Sequence, residues 1–172
     1  NEKLLEIRDL TVHYVTEDEV VHAVNGIEFA VGHGETLGLV GETGAGKTTT
    51  ALAIMRLLPK YTGKIPSGEI IFDGQNLLSC SEEKMRQIRG AKISMIFQDP
   101  MTSLNPVLSV RDQIAEVLEL HSGAHNKQEM DERIGKLLEM VGISKSRMND
   151  FPHQFSGGMK QRVMIAIAIA CN

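Results

Sequence analysis

Apolar and polar residues alternate near the start of the chain. The alternation runs from Leu5 to Tyr14 and resumes over residues 27–31, after an Asn25-Gly26 pair. A period of two is typical of strands with one buried face, and Asn-Gly between two such segments is a strong turn signal. The pattern therefore predicts antiparallel strands with a turn at Asn25-Gly26.

A glycine-rich segment then separates two apolar runs. The first run, ETLGLV at residues 35–40, is almost wholly apolar, as in strands that are buried on both faces of a sheet. The second is predicted to be a helix from about Lys47 to Leu58, stopped by Pro59. The predicted order is strand, loop, helix.

Three further elements are predicted before residue 100. GEIIFDG, at residues 68–74, has the composition of a strand, and SEEKMRQIRG, at residues 81–90, that of a short polar helix. KISMIF, at residues 92–97, is predicted to be another buried strand, which ends at Gln98.

The segment from Ser109 to Phe155 is predicted to be mainly helical. Asp112 follows Ser109 by three residues, and Glu129 follows Asn126 by three. Both pairs resemble the capping arrangements that begin helices.

A last helix is predicted after Ser156. The Ile and Ala residues that alternate within residues 157–170 also suit a strand by period alone. The helix is favoured because a capping residue precedes the segment and its apolar residues lie on all sides of a helix.

Composition limits the classes of protein. The chain has 172 residues, enough for one domain with a real core, and its net charge of -4 gives no general basic surface for nucleic acid. Cys80 and Cys171 lie far apart in no metal-ligand spacing, which indicates reduced thiols in a cytosolic protein. The longest apolar run, residues 163–171, is short of the ~20 residues of a membrane span, and no signal peptide is visible. Any membrane association is expected to come through a partner.

The glycine-rich segment carries the first candidate chemistry. Residues 41–48 satisfy GxxxxGK[ST] in full, between a predicted strand and a predicted helix. Glycines let backbone N–H groups approach phosphate oxygens, and the helix start adds unsatisfied donors and a partial positive charge. Lys47 is predicted to neutralise the β and γ phosphates, Thr48 to offer its hydroxyl to Mg²⁺, and Thr49 to reach the α phosphate. The predicted nucleotide-binding residues of the loop are Gly41, Glu42, Thr43, Gly44, Ala45, Gly46, Lys47, Thr48 and Thr49.

Other interpretations of this segment are weaker. A glycine-rich connection that merely turns a corner does not need the complete motif, and the dinucleotide fingerprint GxGxxG is not met because the spacing is GxxGxG. A GTPase would need NKxD, whereas NKQE at residues 126–129 ends in Glu and is better explained as a helix cap. No arginine-bearing lid of a small-molecule kinase is marked in the sequence.

A second motif, FSGGMKQRV at residues 155–163, selects among the families with a phosphate loop. Together with that loop and Gln98, it resembles the ATP-binding subunits of ABC transporters, whose signature is LSGGQ followed by a basic helical stretch. Phe155 stands for Leu and Met159 for Gln, and the Ser-Gly-Gly core is kept. Ser156, Gly157 and Gly158 at a helix start form a second anion site. Standing alone, they would be an ordinary serine cap with a Gly-Gly hinge.

The resemblance covers essentially the whole chain. FQDPMTSLNP, at residues 97–106, is similar to the Q-loop region of the oligopeptide/dipeptide permease group, which includes nickel importers, and residues 152–168 resemble its D-type subunit. The resemblance implies an α/β fold with the P-loop NTPase core of the ABC ATPases. This core would carry an N-terminal antiparallel β region and an inserted helical subdomain, and would be incomplete at the C-terminus. The implied parts of this single ATP-binding domain are residues 1–108, 109–155 and 156–172.

The resemblance also implies roles for matching positions. Gln98 would contact Mg²⁺ and the attacking water and sense the membrane subunit. Gln98 and Lys47 are therefore the expected catalytic residues, and Thr48 and Gln98 the expected metal ligands. Tyr14 would stack on adenine, and its alternative role is that of a strand residue packing on its neighbours.

The carboxylates that hydrolysis requires are not found at the expected place. One is needed for the metal and one to orient or deprotonate water, and in the family they follow the signature helix, but no acidic residue follows Asp150. IIFD, at residues 70–73, continues into Gly74 and is better explained as a strand that ends at a turn. The chain is therefore interpreted as the N-terminal part of an ABC ATPase, cut before the Walker B motif. Its parent is expected to hydrolyse MgATP, and the chain alone to bind it weakly at best.

The resemblance finally implies an assembly. Two ATP-binding subunits, of D-type and F-type, would face each other head to tail, and transmembrane permease subunits would import peptides or similar solutes delivered by an extracytoplasmic solute-binding protein. The location would be the cytoplasmic face of the membrane. An ABC ATPase acting on DNA or ribosomes, or a regulatory module without turnover, is the alternative. The residues expected to contact the ATP of the opposing subunit are Ser156, Gly157, Gly158 and Met159.

Overall fold

The computed structural model describes residues 2–99, 103–122 and 126–171, apart from the side chain of Ser122. The chain divides into two compact units, Asn1–Met85 and Arg86–Asn172, each with its own core. The subdivision at residues 108 and 155 that the resemblance implies stays a prediction.

An antiparallel sheet frames the first unit. Its strands lie in the order β2-β1-β3-β4, and Ile7 of β1 pairs with Phe29 on one side and with Ile70 on the other. Of the apolar positions in the alternating pattern, Ile7 and Val12 are 1% and 0% exposed, and the predicted antiparallel strands are confirmed. The strands are β1 (Lys3–Val15), β2 (Val20–Gly32), β3 (Gly63–Phe72) and β4 (Gln75–Asn76).

The turn between β1 and β2 lies at residues 16–19, so the turn predicted at Asn25-Gly26 is wrong. The Thr16 amide donates to the Glu19 carbonyl at 2.9 Å. Asn25-Gly26 lies inside β2, where the register with β1 shifts and the Gly26 amide donates to the Thr11 hydroxyl at 3.2 Å. Gly26 has φ +61. The positive φ that Gly allows therefore accommodates a bulge rather than a turn.

Two segments that were predicted to be buried strands are not strands. Residues 35–40 have no regular secondary structure, and the Val40 side chain is 93% exposed. In residues 92–97, Ile93 makes an isolated parallel bridge with Arg89. A buried strand needs neighbours on both edges to satisfy its backbone groups, and the sheet of β1 to β4 provides none for residues 35–40 within the described part of the first unit.

Helix α1 (Lys47–Ile54) begins at the predicted residue and ends before the predicted Leu58. Arg56 has φ +51, and its guanidinium Nη1 donates to the Cys80 carbonyl at 2.7 Å. A residue in the left-handed conformation cannot continue the helix, and Pro59 follows too late to set its end.

Helices dominate the second unit, as predicted. Among its described residues, the largest fully buried side chains include Ile114, Leu118, Ile134, Leu138 and Val163. The segment after Ser156 is helical, as predicted. A helix suits this segment because it is apolar around its circumference and packs into this core. The helices that follow α1 along the chain are α2 (Glu82–Ile88), α3 (Val110–Ser122), α4 (Lys127–Met140) and α5 (Gly157–Ile169).

The caps predicted at Ser109 and Asn126 are present. Ser109 Oγ accepts from the Asp112 amide at 3.1 Å before α3, and Asn126 Oδ1 accepts from the Gln128 amide at 2.9 Å before α4. Each cap satisfies a backbone donor that the first turn of a helix leaves open.

No helix in the described ranges has both the length and the apolar character to cross a bilayer. Cys80 and Cys171 are free thiols. Burial raises the pKa of the Cys171 thiol, which favours its protonated form.

Candidate functional site

The glycine-rich loop of the first unit has glycines where a side chain would be strained or would collide with a neighbouring residue. Gly44 has φ +85 and Gly46, which precedes α1, has φ +81. A Cβ at Gly46 would lie 2.3 Å from the Ala23 carbonyl oxygen of β2, and one at Gly41 would lie 3.0 Å from the Ala45 Cβ. Glycine at position 46 is thus required by both conformation and space, and the start of α1 lies directly against β2.

Lys47 turns back over this loop. Its Nζ donates to the carbonyl oxygens of Gly41 and Glu42, at 2.7 Å in both cases. The start of α1 has no side-chain cap, because Gly46 has no side chain to accept a bond. A cationic group therefore lies above a loop and a helix terminus whose N–H groups favour an anion.

Tyr14 lies beside the first turn of α1. Its hydroxyl and the Thr49 hydroxyl are 3.2 Å apart and share a hydrogen bond. Tyr14 and Thr49 are half-buried, whereas Thr48 is exposed. The structure thus joins two of the predicted site residues through a contact that the sequence did not indicate.

The Ser-Gly-Gly segment forms the start of α5 in the second unit. Ser156 Oγ accepts from the Met159 amide at 3.3 Å, which confirms the predicted cap. Gly157 and Gly158 are exposed, and a Cβ at either would meet none of the described residues within 4 Å. Packing inside this chain therefore does not require glycine at either position.

Gln98 lies in the second unit, exposed at a bend. Among the described residues, no group of three or more His, Cys, Asp or Glu side chains is placed to hold a metal ion. A cleft of about 870 Å³ in the second unit is lined by residues of α4 together with Asn126 and Lys145, and contains none of the predicted site residues.

Sequence reasoning missed Arg147. Its guanidinium contacts Gln154 and Met159, which lie before and after Ser156, and the ring of Phe155 at 4.5 Å from the centroid. A basic residue in a polar loop gives no sequence signal for these contacts, because they depend on how the loop that contains Arg147 packs against the residues around Ser156.

The fold and these two segments are those of a P-loop protein with an ABC-type signature, and the comparisons with known proteins agree. The family model described as "ABC transporter" matches residues 24–172, so the chain belongs to the ABC transporter family. A dimeric ATP-binding cassette in a post-hydrolysis state, bound to ADP and Pi, is 28% identical, with a TM-score of 0.85 over 98% of this chain and 70% of that one. The predicted α/β fold class of the ABC ATPases is thereby confirmed.

Curated relatives carry names of peptide transport. A probable peptide ABC transporter ATP-binding protein of Sinorhizobium fredii is 52% identical over 98% of this chain and 51% of its own length. The oligopeptide transport ATP-binding protein OppD of Bacillus subtilis is 49% identical over 99% of this chain and 48% of its own length. The chain therefore spans about half the length of these relatives.

Proposed function

We propose that the first unit binds the phosphates of ATP. The observation that carries this proposal is the position of Lys47 Nζ, which lies 2.7 Å from two carbonyl oxygens of the loop it would close around a phosphate. A phosphate oxygen can replace these neutral acceptors, and the ammonium then bonds to a charged acceptor, which makes the hydrogen bond stronger than one to a neutral carbonyl. The loop amides and the start of α1 supply the remaining donors.

Mg²⁺ is the metal that the family resemblance implies, and the donors fit it. Thr48 is exposed in the first turn of α1, and Gln98 is an exposed amide. Hydroxyl and amide oxygens are the hard ligands that Mg²⁺ accepts, usually beside phosphate oxygens and water. When bound, the ion neutralises phosphate charge. Thr48 is proposed to hold it. The role of Gln98, to contact the ion and to orient the attacking water, is proposed from the family resemblance alone.

Tyr14 is proposed to stack on adenine. Its hydroxyl is held by Thr49, so the ring has one fixed edge beside the helix that follows the phosphate loop. An aromatic ring held in this way offers a flat surface with little remaining conformational entropy to lose.

The second half of the site is proposed to come from a facing subunit. The exposed amides of Gly157 and Gly158, next to the Ser156 hydroxyl and Met159, would contact the γ phosphate held by the partner's phosphate loop. Open space around both glycines supports a role outside the chain's own packing. The 28% identical cassette was solved as a dimer, which also supports this arrangement.

The whole protein is proposed to be the ATP-hydrolysing subunit of an importer for peptides or similar small solutes. It would act at the cytoplasmic face of the membrane with transmembrane permease subunits, an F-type ATP-binding partner and an extracytoplasmic solute-binding protein. The support is the similarity to relatives named for peptide and oligopeptide transport.

A pair of substitutions in the full-length protein tests the two half-sites. Lys47→Ala should weaken ATP binding by about tenfold or more through the lost charge-assisted bond. Ser156→Arg should leave ATP affinity of the monomer within about twofold and abolish ATP-driven dimerisation, because a long cation fills the surface meant for phosphate. Equilibrium ATP binding and analytical ultracentrifugation with ATP measure the two effects.

Ser81→Arg is the matched control. Ser81 is likewise an exposed serine whose Oγ accepts from an amide in the first turn of a helix, from Lys84 at 3.2 Å. It should change neither measurement. Equal loss of ATP affinity and dimerisation in Ser156→Arg would contradict a site that acts across an interface.

A further inference from the structure

Arg147 ends a short 3-10 turn, Lys145–Arg147, between α4 and the Ser-Gly-Gly segment. Its side chain contacts four described residues of the second unit. Nε donates to Asp150 Oδ2 at 2.7 Å, Nη2 donates to the Gln154 carbonyl at 3.0 Å, and Nη1 lies 3.6 Å from Met159 Sδ. The guanidinium carbon lies 4.5 Å from the centroid of the Phe155 ring.

Three of these contacts are with residues on either side of the Ser-Gly-Gly segment. Gln154 and Phe155 come directly before Ser156, and Met159 is the residue whose amide Ser156 caps. A guanidinium can donate from its edge while its face stacks on an aromatic ring. One planar group therefore holds both ends of the Ser-Gly-Gly segment at the same time.

Arg147 is itself anchored to a helix. The carbonyl of Asp150, its carboxylate partner, accepts from the Val110 amide at 3.0 Å, and the Met148 carbonyl accepts from the Arg111 amide at 2.7 Å. Both amides belong to the first turn of α3. The contacts thus run without a break from α3, through the loop of Arg147, to the residues beside Ser156.

Gly157 and Gly158 form the first turn of α5, and the orientation of their amides depends on how the start of this helix is held. Both residues are exposed, and among the described residues a Cβ at either would contact no neighbour. We infer that Arg147 is a positioning residue, which holds these amides and the Ser156 hydroxyl in the orientation that receives nucleotide from a facing subunit. This inference rests on the function proposed above for the Ser-Gly-Gly segment.

The role of Arg147 can be separated from mere stability. Lysine at this position would keep a positive charge near Asp150, but it has no planar face for Phe155 and cannot reach Gln154 and Asp150 from separate nitrogens. Arg147→Lys should therefore lower the rate of ATP hydrolysis as Arg147→Ala does. If Arg147 acted only as the charge partner of Asp150, Arg147→Lys would instead keep the wild-type rate.

The experiment measures steady-state ATP hydrolysis by the full-length protein with its partner ATP-binding subunit. Arg147→Ala and Arg147→Lys should each lower kcat by about tenfold or more while KM for ATP changes by less than about threefold, because the misplaced amides act in the transition state and not in binding to the phosphate loop. Thermal unfolding reports whether each variant folds, and Arg147→Lys carries the test if Arg147→Ala does not. Wild-type kcat in Arg147→Lys would overturn the inference.

Arg133→Ala is the matched control. Arg133 also joins two elements of the second unit, since Nη2 donates to the Ala170 carbonyl at 3.2 Å, but it makes no such contact with residues 154–159 among those described. It should lower the unfolding temperature without lowering kcat. Ser156→Arg separates the two proposals. If Ser156→Arg leaves kcat unchanged, the proposed function fails. If Ser156→Arg is inactive but both Arg147 variants are fully active, only the positioning role of Arg147 is refuted.

Discussion

Gly44 and Gly46 allow the conformation of the phosphate loop to be tested separately from its packing. Their φ angles are nearly equal, +85 and +81. A Cβ at Gly44 would meet nothing within 4 Å in the part of the chain that the structure describes, whereas one at Gly46 would lie 2.3 Å from the Ala23 carbonyl oxygen and 3.1 Å from Val24 Cγ2. Alanine at the two positions therefore imposes the same backbone strain but very different contacts.

The expected magnitudes follow from these distances. Alanine in the left-handed region costs about 1–2 kcal/mol, and this is the whole cost expected for Gly44→Ala. Gly46→Ala adds overpacking, typically about 1–3 kcal/mol, because the obstacle is backbone of β2, which cannot rotate away as a flexible side chain can. Gly46→Ala should thus destabilise the protein by about 2–5 kcal/mol, and should be the worse of the two.

Urea unfolding of the full-length protein and both variants measures these differences, provided that the slope of free energy against urea stays constant. Gly46→Ala should also weaken ATP binding, because the start of α1 must move away from β2. Equal destabilisation by the two substitutions would refute the reasoning, since it would mean that the loop can shift freely and that contact with β2 does not hold α1 in place.

Two further predictions address Tyr14 and the helix caps. Tyr14→Phe removes the hydrogen bond to Thr49 but keeps the ring, so ATP affinity should fall by about twofold to threefold, whereas Tyr14→Ala should lower it by about tenfold; equal losses by isothermal titration calorimetry would argue against stacking. Asn126→Ala should cost about 1 kcal/mol in urea unfolding, because the Gln128 amide loses its acceptor at the start of α4, and no change would show that the cap is dispensable.

Much of the architecture could be predicted because its signals are local. A cap is a bond between a side chain and an amide two or three residues away, so Ser109, Asn126 and Ser156 mark helix starts by themselves. The alternation in β1 and β2 reports a single buried face, which any neighbouring layer can cover. The phosphate loop is predicted for the same reason, because its motif lies in one short stretch, and the helix predicted to follow it does begin at Lys47.

What the tertiary structure alone decided depends on residues far apart in the chain. The apolar run at residues 35–40 has the composition of a buried strand, but strand pairing requires a partner, and the sheet of the first unit supplies none among its described residues. Asn25-Gly26 carries a positive φ that serves a turn or a bulge equally well, and the pairing of β1 with β2 selects the bulge. The contacts of Arg147 cannot be predicted from the sequence, because tertiary packing brings the acceptors and the aromatic ring to its guanidinium.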